Sequence, residues 1–583
     1  MASDRDPNLI ALWCRLIVEE LHRCGVERAV LCPGSRNSPL LHALHHELGR
    51  GCLSHIDERA AGFIALGLAK SLAKSCGSPV AVCVTSGSAV ANLLPAVVEA
   101  YAAEVPLLVI SADRPWEAHG SSSPQTMPQG GLFGHAVCDD LLLGEPLPDE
   151  RALRSLRART CWLVHQSRRQ RRPVHLNVPL RDPLTPLVDA RWQDDGLPAL
   201  ALHGRAGGAP MVRLVAGASS SWRTLLAGLP AHARGLLVAG PAPGLTPAQA
   251  GRLATTTAMP LLADAPSGLR GGAGALVTTA DALLTGALAN ERAELIIQLG
   301  PAPLARATFE YLDRQDCPWL VLGAGGGNPD FLHRASAVLE RPGEEELIAL
   351  ATALGSAPAD WRRRWEMAEA AARRELKQAM AEEPWGEVLA AHLAVNHPGF
   401  DLLHLASSMA VRHGNLHCLP DGRGRAITAN RGLNGIDGTL ATFLGELAGR
   451  TGNGLLLCGD LALLHDLPAL AAARAAGARG AIVVLNNDGG GIFDFLSTVH
   501  LPAYRQLVRT PHGLDFAHAA AQFGLAYHQV DSRAALAAAL AGAAGGAGLA
   551  LIECRVSAGD TVARHRALIA RLAGSATPGQ ATD

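Results

Sequence analysis

Two short segments carry the strongest chemical signal in the chain. Gly459-Asp460 follows the apolar run 455–458, and Asn486-Asn487 follows the apolar run 481–485. Between Asp460 and Asn487 lie 26 residues, and the second segment continues as Asp488-Gly489-Gly490-Gly491-Ile492-Phe493. Apolar runs of this length read as parallel strands. The spacing then sets Asp460 and Asn487 at the carboxyl ends of two neighbours, where open α/β sheets bind ligands. A carboxylate, an amide oxygen and a glycine carbonyl are hard oxygen donors. They suit Mg²⁺ (or Mn²⁺), which commonly shares its coordination shell with phosphate. The glycines allow backbone N–H groups to approach a diphosphate. Either half alone reads as a capped turn; the pair, each half after a strand, points to a metal and diphosphate site.

Cationic and hydroxyl side chains stand after other apolar runs. Ser35 and Arg36 follow 29–32 in a Pro-Gly turn, and Arg114 follows 107–111, with Gln125 in the polar loop beyond. Ser408 and Arg412, four apart, follow 402–405 and share a helix face; Arg431 follows 426–429. A lone arginine is usually a surface charge, but arginine forks grip carboxylates in two places, and several at strand ends favour anionic substrates. Glu58 opens a helix whose buried face is Ala60, Phe63, Ile64, Gly67 and Leu68. By itself it reads as a helix-start carboxylate favoured by the macrodipole.

These residues need a large scaffold. The chain has 583 residues, a prior of three or four domains. Its hydrophobic fraction of 48% and charged fraction of 18% give an ordinary globular composition with apolar surface for several cores. No run of 18 apolar residues supports a spanning helix, and residues 1–25 resemble neither a signal nor a transit peptide. The formal charge of −2 gives no electrostatic footprint for nucleic acid. Only Lys70, Lys74 and Lys377 are lysines, a bias that fits a GC-rich genome. The twelve cysteines include no C-x-x-C pair, so zinc sites and thioredoxin-like chemistry have little support. Several sit in apolar runs, such as Cys83 and Cys458, and read as buried thiols of a reducing cytoplasm.

Strand runs alternate with helical patterns in three blocks, an α/β class of doubly wound parallel sheets. The first has strands at 29–32, 80–84, 107–111 and 174–178. Its helix face of Val90, Leu93, Leu94, Val97, Val98 and Tyr101 should be kinked by Pro95, and residues 181–210 read as a linker. The second has strands at 236–239, 260–263, 295–299 and 319–322. Its glycine stretch 323–328 lacks the last glycine of a dinucleotide fingerprint. A polar helix over 361–382 reads as a solvated connector. The third has strands at 402–405, 426–429, 455–458, 481–485 and 549–554, an Ala-rich helix and loop over 533–548, and a tail frayed after Gly574.

The motif Gly459-Asp460…Asn486-Asn487 resembles the metal and diphosphate motif of thiamine diphosphate enzymes. Within them, 486–493 resembles the synthases of menaquinone biosynthesis that make 2-succinyl-5-enolpyruvyl-6-hydroxy-3-cyclohexene-1-carboxylate. Further matches run along nearly the whole chain: Cys32-Pro33-Gly34-Ser35-Arg36, Asp57-Glu58-Arg59, Thr85-Ser86-Gly87-Ser88, Ala112-Asp113-Arg114-Pro115, and Asn430-Arg431-Gly432-Leu433-Asn434-Gly435-Ile436-Asp437-Gly438. The resemblance implies a pyrimidine-binding domain over 1–185, a central domain without cofactor over 205–355, and a diphosphate- and metal-binding domain over 385–575. It makes Glu58 the catalytic glutamate that hydrogen-bonds the aminopyrimidine ring, and Ile436 the bulky residue that bends the cofactor. Ser86, Gly459 and Ile492 join the cofactor set, and Asp460, Asn487 and Gly489 hold the metal. It implies isochorismate as acceptor, contacted by Ser35, Arg36, Arg114 and Gln125, and 2-oxoglutarate as donor, held by Ser408, Arg412 and Arg431. Phe493 and Leu496 would wall the site. Arg306, in Gly300-Pro301-Ala302-Pro303-Leu304-Ala305-Arg306-Ala307, stands where the family often has a lysine, which puts the detailed acceptor contacts in question. The implied assembly is a homodimer with shared sites, or a pair of dimers, in the cytoplasm and without membrane insertion.

Rival readings are weaker. An acetolactate-synthase-like carboligase acting on pyruvate needs fewer cations than Arg36, Arg114, Arg412 and Arg431 provide. A non-catalytic member would not need Glu58, Asp460 and Asn487 together. His55, His119 and His135 read as structural. Thr85-Ser86-Gly87-Ser88 is not a nucleophile elbow, because Thr85 and Ala89 take the glycine places.

Overall fold

The structure, a computed structural model, describes residues 6–575 apart from 73–77, 185–188, 190–196, 213–225, 227, 272–273, 324–328, 421, 423 and 558. Its frame is three six-stranded sheets in which every strand pair is parallel. The first contains β1 (Ala29–Leu31), β2 (Cys52–Ser54), β3 (Val80–Val84), β4 (Leu107–Asp113), β5 (Asp140–Leu142) and β6 (Val174–Pro179), in the order β2-β1-β3-β4-β6-β5. The second contains β7 (Gly235–Ala239), β8 (Leu261–Ala263), β9 (Leu276–Val277), β10 (Leu295–Leu299), β11 (Trp319–Gly323) and β12 (Ala337–Glu340), in the order β12-β11-β10-β7-β8-β9. The third contains β13 (Leu402–Leu405), β14 (Ala426–Ala429), β15 (Gly454–Gly459), β16 (Gly480–Asn486), β17 (Ala526–Val530) and β18 (Leu549–Arg555), in the order β14-β13-β15-β16-β18-β17.

Central strands such as β3, β10 and β16 are buried at every residue. Helices cover both faces of a parallel sheet, so its inner strands become continuous Val, Leu and Ile runs rather than alternating ones. This accounts for the legibility of the twelve inner strands; β14, also read from the sequence, is a partly buried edge strand. The five that the sequence reading misses, β2, β5, β9, β12 and β17, all lie at sheet edges. There burial is partial and the apolar run breaks up.

The chain packs as two compact units. One comprises 1–217 with 437–451 and 466–478; the other comprises 218–436, 452–465 and 479–583. In the first unit, the helix Glu58–Leu72 packs on the helix Thr439–Ala448. Two glycines set that contact: a Cβ on Gly67 would meet the Thr442 carbonyl at 2.1 Å, and one on Gly445 would meet the Ile64 carbonyl at 2.1 Å. Pro95 ends one helix and opens the next rather than kinking a single one. The segments are Ser88–Ala91 and Leu94–Ala102, and Leu94 turns outward at 39% exposure. The expected linker is also partly core. Ala199–His203 is helical with Ala201 and Leu202 buried, and the buried Arg157 donates to the carbonyls of both.

The second unit corrects the expected solvated connector. The helix Ala359–Glu382 buries a continuous stripe that includes Trp361, Trp365, Ala368, Ala372 and Leu376. Trp361 Nε1 donates to the Gly235 carbonyl at 3.0 Å. The buried Glu369 accepts from the backbone N–H and hydroxyl of both Thr278 and Thr279. The Arg and Glu density hid this stripe, because long charged residues fill only the outer face. The Ala-rich segment forms the helix Arg533–Gly545. The glycine stretch beyond Gly323 and the tail beyond residue 575 lie outside the described residues.

Candidate active site

In the second unit, β15 and β16 are adjacent, with Gly459 paired to Leu485. Asp460 therefore opens the helix Asp460–Asp466 beside the turn that leaves β16. It is only 2% exposed, and its carboxylate is engaged on both oxygens. Oδ1 accepts from Leu461 N at 2.7 Å, Oδ2 accepts from Gly489 N at 2.9 Å, and His512 Nε2 lies 3.2 Å from Oδ2. Gly489 holds φ +120°, and a Cβ there would meet the Arg509 carbonyl at 2.3 Å, so the turn requires glycine. Asp488 supports it at φ +63° by accepting from His512 N and Gly513 N, and the Gly513 contact leads in holding its carboxyl below the ordinary range.

Asn487 is oriented from both sides. Its Nδ2 donates to Glu387 Oε2 at 2.8 Å, and its Oδ1 accepts from Arg509 Nη2 at 3.1 Å. Glu387 opens the helix Glu387–Asn396, is buried, and lies 3.1 Å from His413 Nε2 through its other oxygen. Burial pushes its carboxyl up. The His413 hydrogen bond and charge, with help from Asn487 and Arg509, outweigh that and leave it below the ordinary value. Arg509 also donates to the carbonyls of Asn487 and Asp488 and to Asp494. None of Glu387, His413, Arg509 and His512 was legible as a site residue. The only sequence hint is Glu387 itself, a carboxylate at the head of an otherwise apolar helix.

In the first unit, Glu58 is the first residue of its helix and half-buried, with Asp57 capping Ala60 N at 3.2 Å. Asn92 Nδ2 lies 3.5 Å from Glu58 Oε2. Ser86, after β3, donates to the Gln125 carbonyl at 2.9 Å, and Arg114 Nη2 lies 3.5 Å from Gln125 Oε1. Gly87, at φ +83°, donates to the buried Gln129 at 2.8 Å. Gln129 is locked in turn by Asn177, whose Nδ2 donates to Asp113 at 2.7 Å. Ser86, Arg114 and Gln125 are thus brought together at the exposed edge of a buried polar network formed by Gln129, Asn177 and Asp113. Gln129 and Asn177 escaped the sequence reading because they lie 42 and 90 positions beyond Gly87.

Family models for the N-terminal and C-terminal TPP binding domains of thiamine pyrophosphate enzymes match residues 14–134 and 428–554. Over nearly its whole length the chain is 38% identical to the 2-succinyl-5-enolpyruvyl-6-hydroxy-3-cyclohexene-1-carboxylate synthase of Myxococcus xanthus (strain DK1622), covering 98% of each chain. The synthase of the same name from Rubrobacter xylanophilus is 37% identical over 98% of this chain and 100% of its own. That of Roseiflexus castenholzii is 35% identical over 97% and 98%. The chain belongs to this synthase family. Like the family, it is a thiamine diphosphate-dependent carboligase, built on the α/β fold described above.

The remaining residues expected in the synthase's site stand at five places in the fold. Arg36 is 6% exposed and already engaged, donating to the Leu180 carbonyl at 2.8 Å and lying 3.3 Å from Asp182 Oδ2, while its neighbour Ser35 is exposed. Ser408, at φ +71°, begins the helix Met409–His417, and Arg412 folds back to its carbonyl at 2.7 Å. Arg431 and Ile436 are half-buried in the loop after β14. Ile492 and Phe493 lie in the 3₁₀ turn Gly491–Phe495, Ile492 half-buried and Phe493 37% exposed, and Leu496 after them is 50% exposed. Arg306 is 91% exposed and paired with Glu310 on its own helix. The donor chemistry of Asp460, Asn487 and Gly489 fits a hard divalent cation.

Proposed function

We propose that this synthase joins a succinyl unit from 2-oxoglutarate to isochorismate, with loss of CO₂, to form 2-succinyl-5-enolpyruvyl-6-hydroxy-3-cyclohexene-1-carboxylate. The observation that carries the reading is the Asp460–Gly489 contact at the ends of β15 and β16, with Asn487 fixed beside it by Glu387 and Arg509. The shared name of relatives matched over nearly the whole chain supports the product. Bound thiamine diphosphate supplies the electron sink that lets a 2-oxo acid lose CO₂.

The chain's own residues supply position and charge. Asp460, Asn487 Oδ1 and the Gly489 carbonyl hold Mg²⁺ or Mn²⁺, while the N–H groups of the glycine turn (Gly489, Gly490 and Gly491), expected to approach the diphosphate, are taken by Asp460, the Arg509 carbonyl and the Gly489 carbonyl. Gly459 and Ile492 border that turn, and Ile436 sets the cofactor's bend. Glu58 holds a hydrogen bond to the aminopyrimidine ring, and Ser86 shapes the same end. Ser408, Arg412 and Arg431 take the donor carboxylates. Ser35, Arg36, Arg114, Gln125 and Arg306 take the acceptor, with Arg36 exchanging Asp182 for substrate. Phe493 and Leu496, both accessible, wall the bound substrates from water. In this reading the three sheets are three domains, over 1–185, 205–355 and 385–575. Glu58 of one chain and Asp460 of another meet on one cofactor in a homodimer, or in a pair of dimers, in the cytoplasm.

The donor assignment is tested by CO₂ release from 2-oxoglutarate and from pyruvate, each with and without isochorismate. Release from 2-oxoglutarate that rises with isochorismate supports the proposal. Preference for pyruvate moves the enzyme to an acetolactate-synthase-like reaction.

A further inference from the structure

We propose that Cys24, Cys161 and His165 form a cation site of zinc class, closed by the Val212 carbonyl, that clasps the first unit together. Cys24 caps the helix Leu9–Arg23, and Cys161 and His165 stand one turn apart on the helix Glu150–Gln170. Their three donor atoms all lie within 4.8 Å of one another. The two Sγ atoms are 3.4 Å apart, and Cys161 Sγ is 3.4 Å from His165 Nε2. The Val212 carbonyl lies 2.7 Å from that nitrogen and 3.2 Å from Cys161 Sγ. Zinc bond lengths of about 2.3 Å to sulfur and 2.0–2.1 Å to nitrogen give tetrahedral edges of roughly 3.8 Å for S···S and 3.5 Å for S···N. The Cys24–Cys161 and Cys161–His165 edges differ from these by a few tenths of an ångström, and the Cys24–His165 edge lies within 4.8 Å.

Sequence spacing gave no warning of this group, because Cys24 and Cys161 are 137 positions apart. The sulfurs are unbonded thiols, since a disulfide needs about 2.05 Å. Both are buried, at 2% and 0% exposure, so an oxidant has no direct approach, whereas an ion can load through the half-exposed His165 as the segments close. The donor of the Cys24–Cys161 hydrogen bond is the Cys24 thiol. That donation, with the Val212 N–H, holds the Cys161 thiol below the ordinary thiol value against the opposing push of burial, and the same hydrogen bond and burial push the Cys24 thiol up. Binding releases the two thiol protons to solvent. His165 shifts its ring proton to Nδ1, so that Nε2 turns from the Val212 carbonyl to the ion. Two thiolates then neutralise a divalent charge inside the protein, and three distant chain segments become linked, so that metal binding adds to folding stability.

The test uses the reduced full-length enzyme saturated with Mg²⁺ and thiamine diphosphate, so that the active site is already filled. After exposure to Zn²⁺ and dialysis, metal analysis should find about one zinc per chain. Cys161→Ser and His165→Ala should lose it, with affinity lowered at least 100-fold, and Cys138→Ser should keep it. Co²⁺ in place of zinc should give a thiolate charge-transfer band that Cys161→Ser abolishes. Should Cys161→Ser fail to fold, His165→Ala, altered at a half-exposed position, still reads the zinc count and the loss of the zinc-induced rise in melting temperature. Zinc uptake equal in wild type and His165→Ala overturns the proposal. So does the absence of the cobalt band, or a mass two hydrogens lighter, marking a disulfide, with no zinc bound.

Discussion

Glu387→Ala is the sharpest perturbation of the proposed metal site, because Glu387 touches no proposed ligand oxygen yet fixes the residue that carries one. Its two oxygens meet Asn487 Nδ2 at 2.8 Å and His413 Nε2 at 3.1 Å, inside a fully buried setting. Alanine strands both partners. Leaving buried hydrogen-bonding groups without a partner costs about 1–3 kcal/mol each. Glu387→Gln keeps an acceptor for Asn487 and should cost about 1–2 kcal/mol, in the range of one exchanged hydrogen bond. Freed from Glu387, the Asn487 amide can rotate, and loss of such support typically weakens metal binding by about 10–100-fold. Mg²⁺ titration calorimetry at fixed thiamine diphosphate, beside thermal melts, separates the two effects. Glu387→Gln should fold and bind Mg²⁺ more weakly than wild type, and Glu387→Ala should melt much earlier. An alanine variant with wild-type melting and Mg²⁺ affinity within twofold would refute the orienting role.

Glu58→Gln should bind thiamine diphosphate yet slow exchange of its reactive ring proton by orders of magnitude, as read by NMR after acid quench; unchanged exchange leaves Glu58 a helix-start residue only. Arg412→Ala should raise the KM for 2-oxoglutarate at least tenfold, from loss of a charge-assisted contact of about 1.5–3 kcal/mol, and equal effects on both substrates reject that role. Asp466, 1% exposed, accepts from Ala441 N at 2.8 Å, and burial, opposed by that N–H and by Arg59, raises its carboxyl to about 7. Its folded value exceeds the ordinary 3.8, so it is harmless when protonated and costs stability as pH rises toward and through 7, by up to roughly 4 kcal/mol. Asp466→Asn keeps an acceptor without the charge, so its melting advantage over wild type should grow from pH 5 to pH 8; a constant difference contradicts the burial argument. Co-expressed Glu58→Gln and Asp460→Ala chains should recover about a quarter of wild-type activity if sites are shared between subunits, and none if each site lies within one chain.

The sequence exposed what repeats or contrasts locally. Inner strands such as Val80–Val84 announce themselves because both faces are buried, and Asp460 and Asn487 because each follows such a strand. Edge strands such as Ala337–Glu340 do not, because half their side chains meet solvent. The stripe Trp361–Trp365–Ala368–Ala372 was masked by the arginines and glutamates of the opposite face. The supports of the site, Glu387 for Asn487 and Gln129 for Gly87, are long-range polar pairs that no periodicity encodes. Arg36 shows the converse: its motif is legible, but its present partners, the Leu180 carbonyl and Asp182, are visible only in the fold.

The account's central claim is the carboligation itself. Purified enzyme with Mg²⁺, thiamine diphosphate, isochorismate and uniformly ¹³C-labelled 2-oxoglutarate should release one labelled carbon as CO₂ and place the other four in a single adduct with isochorismate, read by mass spectrometry. Labelled CO₂ without a four-carbon adduct, or no turnover by folded protein that binds the cofactor, would contradict it.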